Sequence, residues 1–168
     1  MNLGNINLRI LETSDFTKEY LDWFDNKDTV EFSDNQYRKF TKKSQLEYII
    51  RLKKDNSYNL YGIFYKKKHI GNILLGPINE IHKRAEISYV IGDKNFWGVG
   101  VGSHVISLII KIVKENLKLK KLCASCASKN IGSKKVLIKN NFKIEGRRKK
   151  HVLYNGKWQD TLEFGLIL

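Results

Sequence analysis

The stretch from Asp93 to Ile110 reads DKNFWGVGVGSHVISLII. Three glycines, Gly98, Gly100 and Gly102, stand at every second position, and an apolar helical pattern follows them without a break. Glycine lets backbone N–H groups come close to a ligand, and a helix begins with amides that lack an intrahelical acceptor and carry partial positive charge. The stretch therefore predicts either an anion cradle suited to a phosphate or a tight strand-to-helix turn that needs positive φ angles.

Two well-known phosphate motifs do not fit this stretch. A dinucleotide-binding fingerprint would need its third glycine at position 103, which is Ser103. The phosphate loop of nucleoside triphosphatases would need Gly-Lys-Ser or Gly-Lys-Thr, and neither follows the glycines. The spacing by itself leaves the cradle and the plain turn open.

The composition is that of an ordinary globular protein, with 168 residues, 42% hydrophobic and 29% charged. This length predicts one domain over residues 1–168, with a sizeable core. No apolar run has the length of a membrane span and no signal-type segment leads the chain, so we expect a cytoplasmic protein without a membrane partner.

The net charge of +14 is compatible with nucleic acid, an anionic surface or an acidic small molecule as partner, and equally with a surface that lysine merely solvates. No aromatic residues alternate with the lysine clusters, which makes a nucleic-acid partner an unfavoured prediction. The charge therefore does not decide the function.

The two cysteines, Cys123 and Cys126, form a C-A-S-C motif. No second pair and no histidine cluster accompany them, so a zinc site would lack its remaining ligands and we expect no metal. The alternation of Leu122, Ala124 and Cys126 predicts a short buried strand instead.

Periodicity along the chain predicts an α+β (mixed α/β) protein with about seven strands and four helices. Asn155-Gly156 between two alternating segments is the strongest hairpin signal. Ser14 is expected to cap the first helix, and Ser44 with Glu47 to open the second as a capping box. Strands are expected near residues 5–11, 58–65, 69–75, 84–91, 121–126, 142–154 and 158–168. Helices are expected near 14–26, 44–53, 103–115 and 130–139, the last capped by Asn130 or Ser128, with an irregular loop over 27–42.

Several motifs occur in an order that resembles a known family. Trp97-Gly98-Val99-Gly100-Val101-Gly102 is followed by Asn130 and Ser133, and then by Asn141-Phe142. This series resembles the GNAT superfamily of acyl-coenzyme-A-dependent N-acetyltransferases, in particular the branch of ribosomal-protein N-terminal, amino-sugar and polyamine acetyltransferases. Trp97 replaces the family's more common Gln or Arg, and Asn141 replaces its usual Gly, a mild change because Asn also tolerates a left-handed backbone.

The resemblance implies a single GNAT-like domain whose central, mostly antiparallel sheet contains one splayed parallel pair, around 86–91 and 121–126. Acetyl-coenzyme A would be the co-substrate, with its pyrophosphate on the amides of 99–103 and its pantetheine arm beside 88–91. Asn130 would orient that arm or simply cap its helix. The implied cofactor-binding residues are Ser88, Tyr89, Val90, Ile91, Trp97, Gly98, Val99, Gly100, Val101, Gly102, Ser103, Asn130 and Ser133.

The resemblance also implies direct attack of an amine on the thioester, which makes a general base useful. Glu86 is the first candidate, although it could face the other side of its strand and pair with a lysine; Asp160 and His151 are weaker candidates. Ser133 could donate a hydrogen bond to the departing thiolate, or could be a plain helix-surface serine. Many members carry a tyrosine for this thiolate four residues later, where this chain has Leu137.

Acceptor specificity is expected in the loop after the first helix and in the final hairpin. The residues are Phe32, Ser33, Gln36, Tyr37, Arg38, Tyr154 and Trp158, whose aromatic members could also be packing locally. The positive charge favours a phosphate-bearing acceptor, such as a nucleotide-linked amino sugar, over a polyamine or a ribosomal-protein N-terminus. A homodimer is compatible with the resemblance. The alternatives of another class are a non-catalytic acyl-coenzyme-A-binding protein and a nucleic-acid-binding protein.

Overall fold

The computed structural model describes residues 1–168. Its strands form one mixed seven-stranded sheet of order β1-β2-β3-β4-β5-β7-β6. All neighbouring strands are antiparallel except β4 and β5, as predicted. The strands are β1 (Ile6–Ile10), β2 (Asn59–Tyr65), β3 (Lys68–Leu75), β4 (Arg84–Ile91), β5 (Lys121–Ala127), β6 (Lys143–Tyr154) and β7 (Lys157–Ile167).

Five helices cover the sheet on both faces. They are α1 (Lys18–Asp25), α2 (Lys27–Val30), α3 (Lys42–Lys54), α4 (Val101–Ile112) and α5 (Ile131–Lys139). The larger core lies on the face covered by α4 and α5, where the buried stripe of α4 meets side chains of the central strands. A smaller core lies on the opposite face under α3. Each fully buried aliphatic side chain contributes roughly 1.5–3 kcal/mol, so α4 holds its first turn firmly against the sheet.

The parallel pair splays apart, as the resemblance implied. β4 and β5 are paired only from Arg84–Lys121 to Glu86–Cys123. Beyond that point β4 stays paired with β3 as far as Ile91, while β5 stays paired with β7 as far as Ala127. Because each strand keeps its outer neighbour, a gap opens between them in the middle of the sheet.

Two predicted helix starts were wrong. The cap of α1 is Thr17, whose Oγ1 accepts a hydrogen bond from the Tyr20 amide at 3.2 Å, while Ser14 lies in a separate 3₁₀ turn. The cap of α3 is Thr41, whose side chain accepts from the Ser44 amide, while the Ser44 side chain accepts from the Thr41 amide. In both cases several hydroxyl residues stand close together in the sequence, and the cap is the one whose own backbone is extended just before the helix.

The predicted loop over 27–42 contains short regular pieces, α2 and a 3₁₀ turn at Asp34–Tyr37. The Asn155-Gly156 turn has φ angles of 51° and 68°, as a two-residue hairpin requires, and Asn141 adopts φ 66°. Both cysteines are free and lie in β5, which confirms the strand reading of that motif. No helix is long and apolar enough to cross a membrane.

Candidate functional site

The glycine stretch forms a tight turn that leads into the start of α4 and leaves its first amides unpaired, as an anion cradle requires. Gly98 and Gly100 have φ angles of +72° and +91°, which other residues adopt at a cost. Gly100 is the N-cap of α4, and the first intrahelical hydrogen bond runs from the His104 amide to the Gly100 carbonyl at 3.0 Å. The amides of 101–103 consequently have no intrahelical acceptor and face outwards at the positive end of a twelve-residue helix.

The third glycine has a different role from the one expected. Gly102 lies inside α4 with an ordinary helical backbone, and a Cβ atom there would approach Val136 Cγ2 at 3.3 Å and Tyr89 Cε2 at 3.6 Å. The missing side chain lets α4 approach α5 and the Tyr89 ring closely. Gly102 therefore shapes the wall of the site, whereas Gly98 and Gly100 shape the cradle.

Side-chain contacts hold the loop between β4 and α4 in place. The Trp97 indole donates from Nε1 to the Ile91 carbonyl at 2.7 Å, across the turn. Lys68 pairs with Asp93 at 2.6 Å, which attaches the start of the loop to β3. Trp97 thus fixes the backbone of the loop as well as lining the cleft beside it.

A cleft of about 1240 Å³ extends from this cradle along the gap between the splayed strands. Lys135 and Lys139 of α5 also line it and make no ion pair within the chain. Nothing in the sequence beyond their helical spacing pointed to these two lysines. The predicted cofactor-binding residues that line the cleft are Ser88, Tyr89, Val90, Ile91, Trp97, Gly98, Gly100, Val101, Gly102, Ser103, Asn130 and Ser133. Val99 does not line it, since its side chain faces solvent.

The start of α5 carries a small polar cluster at the gap. Asn130 Oδ1 accepts from the Ser133 amide at 3.0 Å, so Asn130 is the helix cap. The Tyr89 hydroxyl donates to Ser133 Oγ at 3.4 Å. Burial raises the pKa of the Tyr89 phenol, which keeps it protonated and able to donate. Burial also raises the pKa of the Cys126 thiol on β5.

A second cavity, of about 600 Å³, lies on the α3 face of the sheet. Glu86, Ser125 and Thr161 line it, and Ser88 and Tyr48 line both this cavity and the larger cleft. The two spaces are therefore neighbours that share walls near the point where β4 and β5 part. Of the predicted acceptor residues, Phe32, Ser33, Arg38 and Tyr154 line the second cavity.

Glu86 is the carboxylate of this cavity that has no partner. Glu163 pairs with Arg148 at 3.2 Å, and Asp34 accepts a hydrogen bond from the Tyr154 hydroxyl at 3.2 Å. Burial raises the pKa of Tyr154 to about 12. Glu86 makes no hydrogen bond or ion pair through its carboxylate, so it does not pair with a lysine as the alternative interpretation had it.

The structure leaves four predicted acceptor or base residues outside both cavities. Gln36 is one of them: its side chain donates to the Ser33 carbonyl at 3.1 Å and accepts from the Asn155 amide at 3.3 Å. Trp158 and Tyr37 are about 60% exposed, at 61% and 60%, and Tyr37 donates its hydroxyl to the Leu153 carbonyl of the hairpin. The Asp160 carboxylate forms an ion pair with Arg147 and accepts a hydrogen bond from the Lys150 amide.

His151 lines the second cavity. Sequence reasoning missed Tyr48 and Thr161; the Thr161 hydroxyl is buried without a partner, a property that only the fold reveals.

Comparisons with known proteins agree with this geometry. Residues 5–143 match the family described as "Acetyltransferase (GNAT) domain". The "Probable N-acetyltransferase YjcK" of Bacillus subtilis is 31% identical over 164 residues, which is 92% of this chain and 90% of that protein.

Two solved structures share the fold. A spermidine N-acetyltransferase from Vibrio cholerae, in complex with CoA and spermine, superposes with a TM-score of 0.87 at 21% identity, covering 98% of this chain and 96% of that one. RimL, a ribosomal L7/L12 α-N-protein acetyltransferase in complex with coenzyme A, has a TM-score of 0.85 at 20% identity, with 97% and 94% covered.

The open parallel pair beside the unpaired start of α4 agrees with the family match. The chain belongs to the GNAT acetyltransferase family, and it is an acyltransferase that uses acetyl-coenzyme A.

Proposed function

We propose that this protein transfers the acetyl group of acetyl-coenzyme A to the nitrogen of a primary amine, by direct attack on the thioester. The observation that carries the proposal is the parting of β4 and β5 after Glu86–Cys123, beside the free amides at the start of α4. A slender thioester arm fits such a gap, and a diphosphate fits such amides.

For the donor, we propose that the amides of 99–103 hold the pyrophosphate and that the free edge of β4 from Ser88 to Ile91 pairs with the pantetheine amides. The free β4 edge supports this, because it offers backbone groups that no strand of the chain occupies. The exposed ammonium groups of Lys135 and Lys139 add positive charge along the same wall.

For the acceptor, we propose entry through the smaller cavity, between the 32–38 loop and the β6–β7 hairpin. An amine arrives as an ammonium and must lose a proton before it attacks. Glu86 would accept that proton, directly or through water, because it is the carboxylate of the cavity without a partner. Ser133 would donate a hydrogen bond to the sulfur as it leaves.

The acceptor itself we propose to be a phosphate-bearing amine, such as a nucleotide-linked amino sugar, with Arg38 available for the phosphate. The net charge of +14 supports this class. The second candidate is a polyamine, which the unpaired Glu86 carboxylate favours.

The cytoplasmic location stays a prediction.

A homodimer also stays a prediction; β6 leaves one edge of the sheet open for a second copy.

Thiol release from acetyl-coenzyme A tests the proposal against a panel of nucleotide amino sugars, polyamines, aminoglycosides and N-terminal peptides. Turnover with an amine, followed by mass spectrometry of an N-acetyl product, is the expected result. Binding of the donor without turnover of any amine would favour a non-catalytic acyl-coenzyme-A-binding protein instead. Failure to bind the donor, with salt-dependent binding to nucleic acid, would overturn the proposal altogether.

A further inference from the structure

The phenol of Tyr89 lies on the opposite face of β4 from Glu86. Ala85 and Ile87 are buried in the larger core, and Tyr89 packs against that core in the same alternation. Glu86 and Ser88 point to the other face and line the smaller cavity. The Glu86 carboxylate therefore lies on one face of the sheet at the gap between β4 and β5. The Tyr89 hydroxyl lies on the other face.

The contact between Tyr89 and Ser133 restricts what the serine hydroxyl can do. A serine has one hydrogen to donate and two lone pairs that accept. Because the Tyr89 hydroxyl donates to Ser133 Oγ at 3.4 Å and stays protonated, that side of the serine acts as acceptor. The single Ser133 hydrogen is then directed elsewhere, and it has no acceptor within the chain.

The Tyr89 ring has a fixed place in the structure. Its Cε2 atom would be 3.6 Å from a Cβ at Gly102, so the glycine leaves the space that the ring edge uses. The ring also lies on β4, in the cross-strand row of Tyr61, Ile73 and Tyr89. The hydroxyl is thus held between β4 and α4, where it contacts Ser133 of α5.

We propose that Tyr89 is a positioning residue that holds the Ser133 hydroxyl as a hydrogen-bond donor to the sulfur leaving the thioester. This inference rests on the proposed function. In the step, the N–C bond forms, the C–S bond breaks, and the sulfur keeps the electron pair while accepting the Ser133 hydrogen bond. The amine proton passes to Glu86 or water, Tyr89 keeps its own proton, and the thiolate takes its proton from solvent.

Tyr89→Phe tests the inference, because it removes the hydroxyl and keeps the ring. We expect kcat to fall about tenfold, the scale of one hydrogen bond, while KM for acetyl-coenzyme A changes less than about twofold. Ser133→Ala should lower kcat at least as much, and the double variant should be no slower than Ser133→Ala. Tyr61→Phe is the matched control, a buried tyrosine of the same row whose hydroxyl has no hydrogen bond, and it should leave kcat unchanged.

A second measurement does not depend on turnover. Bound coenzyme A is titrated with pH, and the thiolate is followed by its ultraviolet absorbance. We expect the pKa of the bound thiol to rise by about one unit in Tyr89→Phe and in Ser133→Ala relative to wild type, which is the same tenfold effect. Tyr61→Phe should not move it.

The outcomes separate the two levels of the proposal. An unchanged kcat and an unchanged bound-thiol pKa in a folded Tyr89→Phe, in an enzyme that acetylates an amine, would overturn the role of Tyr89 alone. A changed KM with unchanged kcat would do the same, since it would assign Tyr89 to donor binding. Wild-type protein that binds no acetyl-coenzyme A would instead remove the proposed function itself.

Discussion

Three replacements of Gly100 test separately what the start of α4 requires at this position: a left-handed backbone, the absence of negative charge and a small side chain. Gly100 has φ +91° and ψ −3°, and a Cβ atom there would have one neighbour within 4 Å, Leu3 Cδ1 at 3.6 Å. Space is therefore not limiting, and the cost of Gly100→Ala is the left-handed backbone, about 1–2 kcal/mol. For a chain of this size, the melting temperature should fall by about 2–4 °C for each kcal/mol.

Gly100→Asp adds a carboxylate where we propose the pyrophosphate to bind. Two charges about 4 Å apart near a protein surface repel by roughly 4 kcal/mol, of which solvent and movement of the side chain will remove a large part. We expect at least about a tenfold rise in KM for acetyl-coenzyme A and in the Kd for coenzyme A, equivalent to about 1.4 kcal/mol. Thiol release gives the KM and calorimetry gives the Kd.

Gly100→Asn is the control for this experiment, since it is close to Asp in shape, is neutral and tolerates the left-handed conformation. Its KM should rise by less than about threefold. If the Asp and Asn variants are both folded and share the wild-type KM, the pyrophosphate is not at this helix start. If both lose affinity equally, the site excludes size rather than charge, and the electrostatic part of the reasoning is wrong.

Three further predictions concern other parts of the molecule. Glu86→Gln should lower kcat by about 10²-fold or more and flatten its acid limb, as a plot of kcat against pH will show. The Arg9 side-chain hydrogen bond, at 2.7 Å, holds the pKa of Asp15 below its usual value, so this pair contributes stability above the unfolded pKa and loses it as pH falls through the folded pKa. Asp15→Asn should therefore cost up to about 1 kcal/mol at neutral pH and less in acid, by urea unfolding. Gly92→Ala should destabilise by about 3 kcal/mol, because its Cβ would lie 1.9 Å from Trp23 Cδ2.

Each of these predictions has an outcome that would contradict it. A kcat–pH profile of Glu86→Gln equal to wild type would remove Glu86 from the mechanism. A loss of stability in Asp15→Asn that stays constant down to acid pH would show that the ion pair is not its cause. For Gly92, the comparison is Gly102→Ala, whose nearest atom is 3.3 Å away on a side chain; equal effects of the two changes would show that Trp23 moves aside freely.

Much of the fold followed from local pattern. β4 was predicted to its end residues, and the hairpin at Asn155-Gly156 was confirmed, because alternation and positive-φ turn residues are local properties. The helix caps at Ser14 and Ser44 failed for the opposite reason, since neighbouring hydroxyl residues compete and the path of the chain selects among them. The splayed parallel pair was predicted from the resemblance to a known family in the order of the motifs, because no single segment encodes it.

The amino-acid sequence by itself determined the helix start at which we propose the donor to bind. The glycines at 98 and 100 and the apolar helix behind them create unpaired amides through backbone geometry alone, wherever the helix is placed. The tertiary structure decided the rest. It left Glu86 without a partner on one face of β4, brought Tyr89 to Ser133 on the other, and removed Tyr37, Trp158 and Asp160 from the cavities. Those relations depend on which strands stay paired and which strands separate. Segments that are far apart in the sequence determine this pairing together.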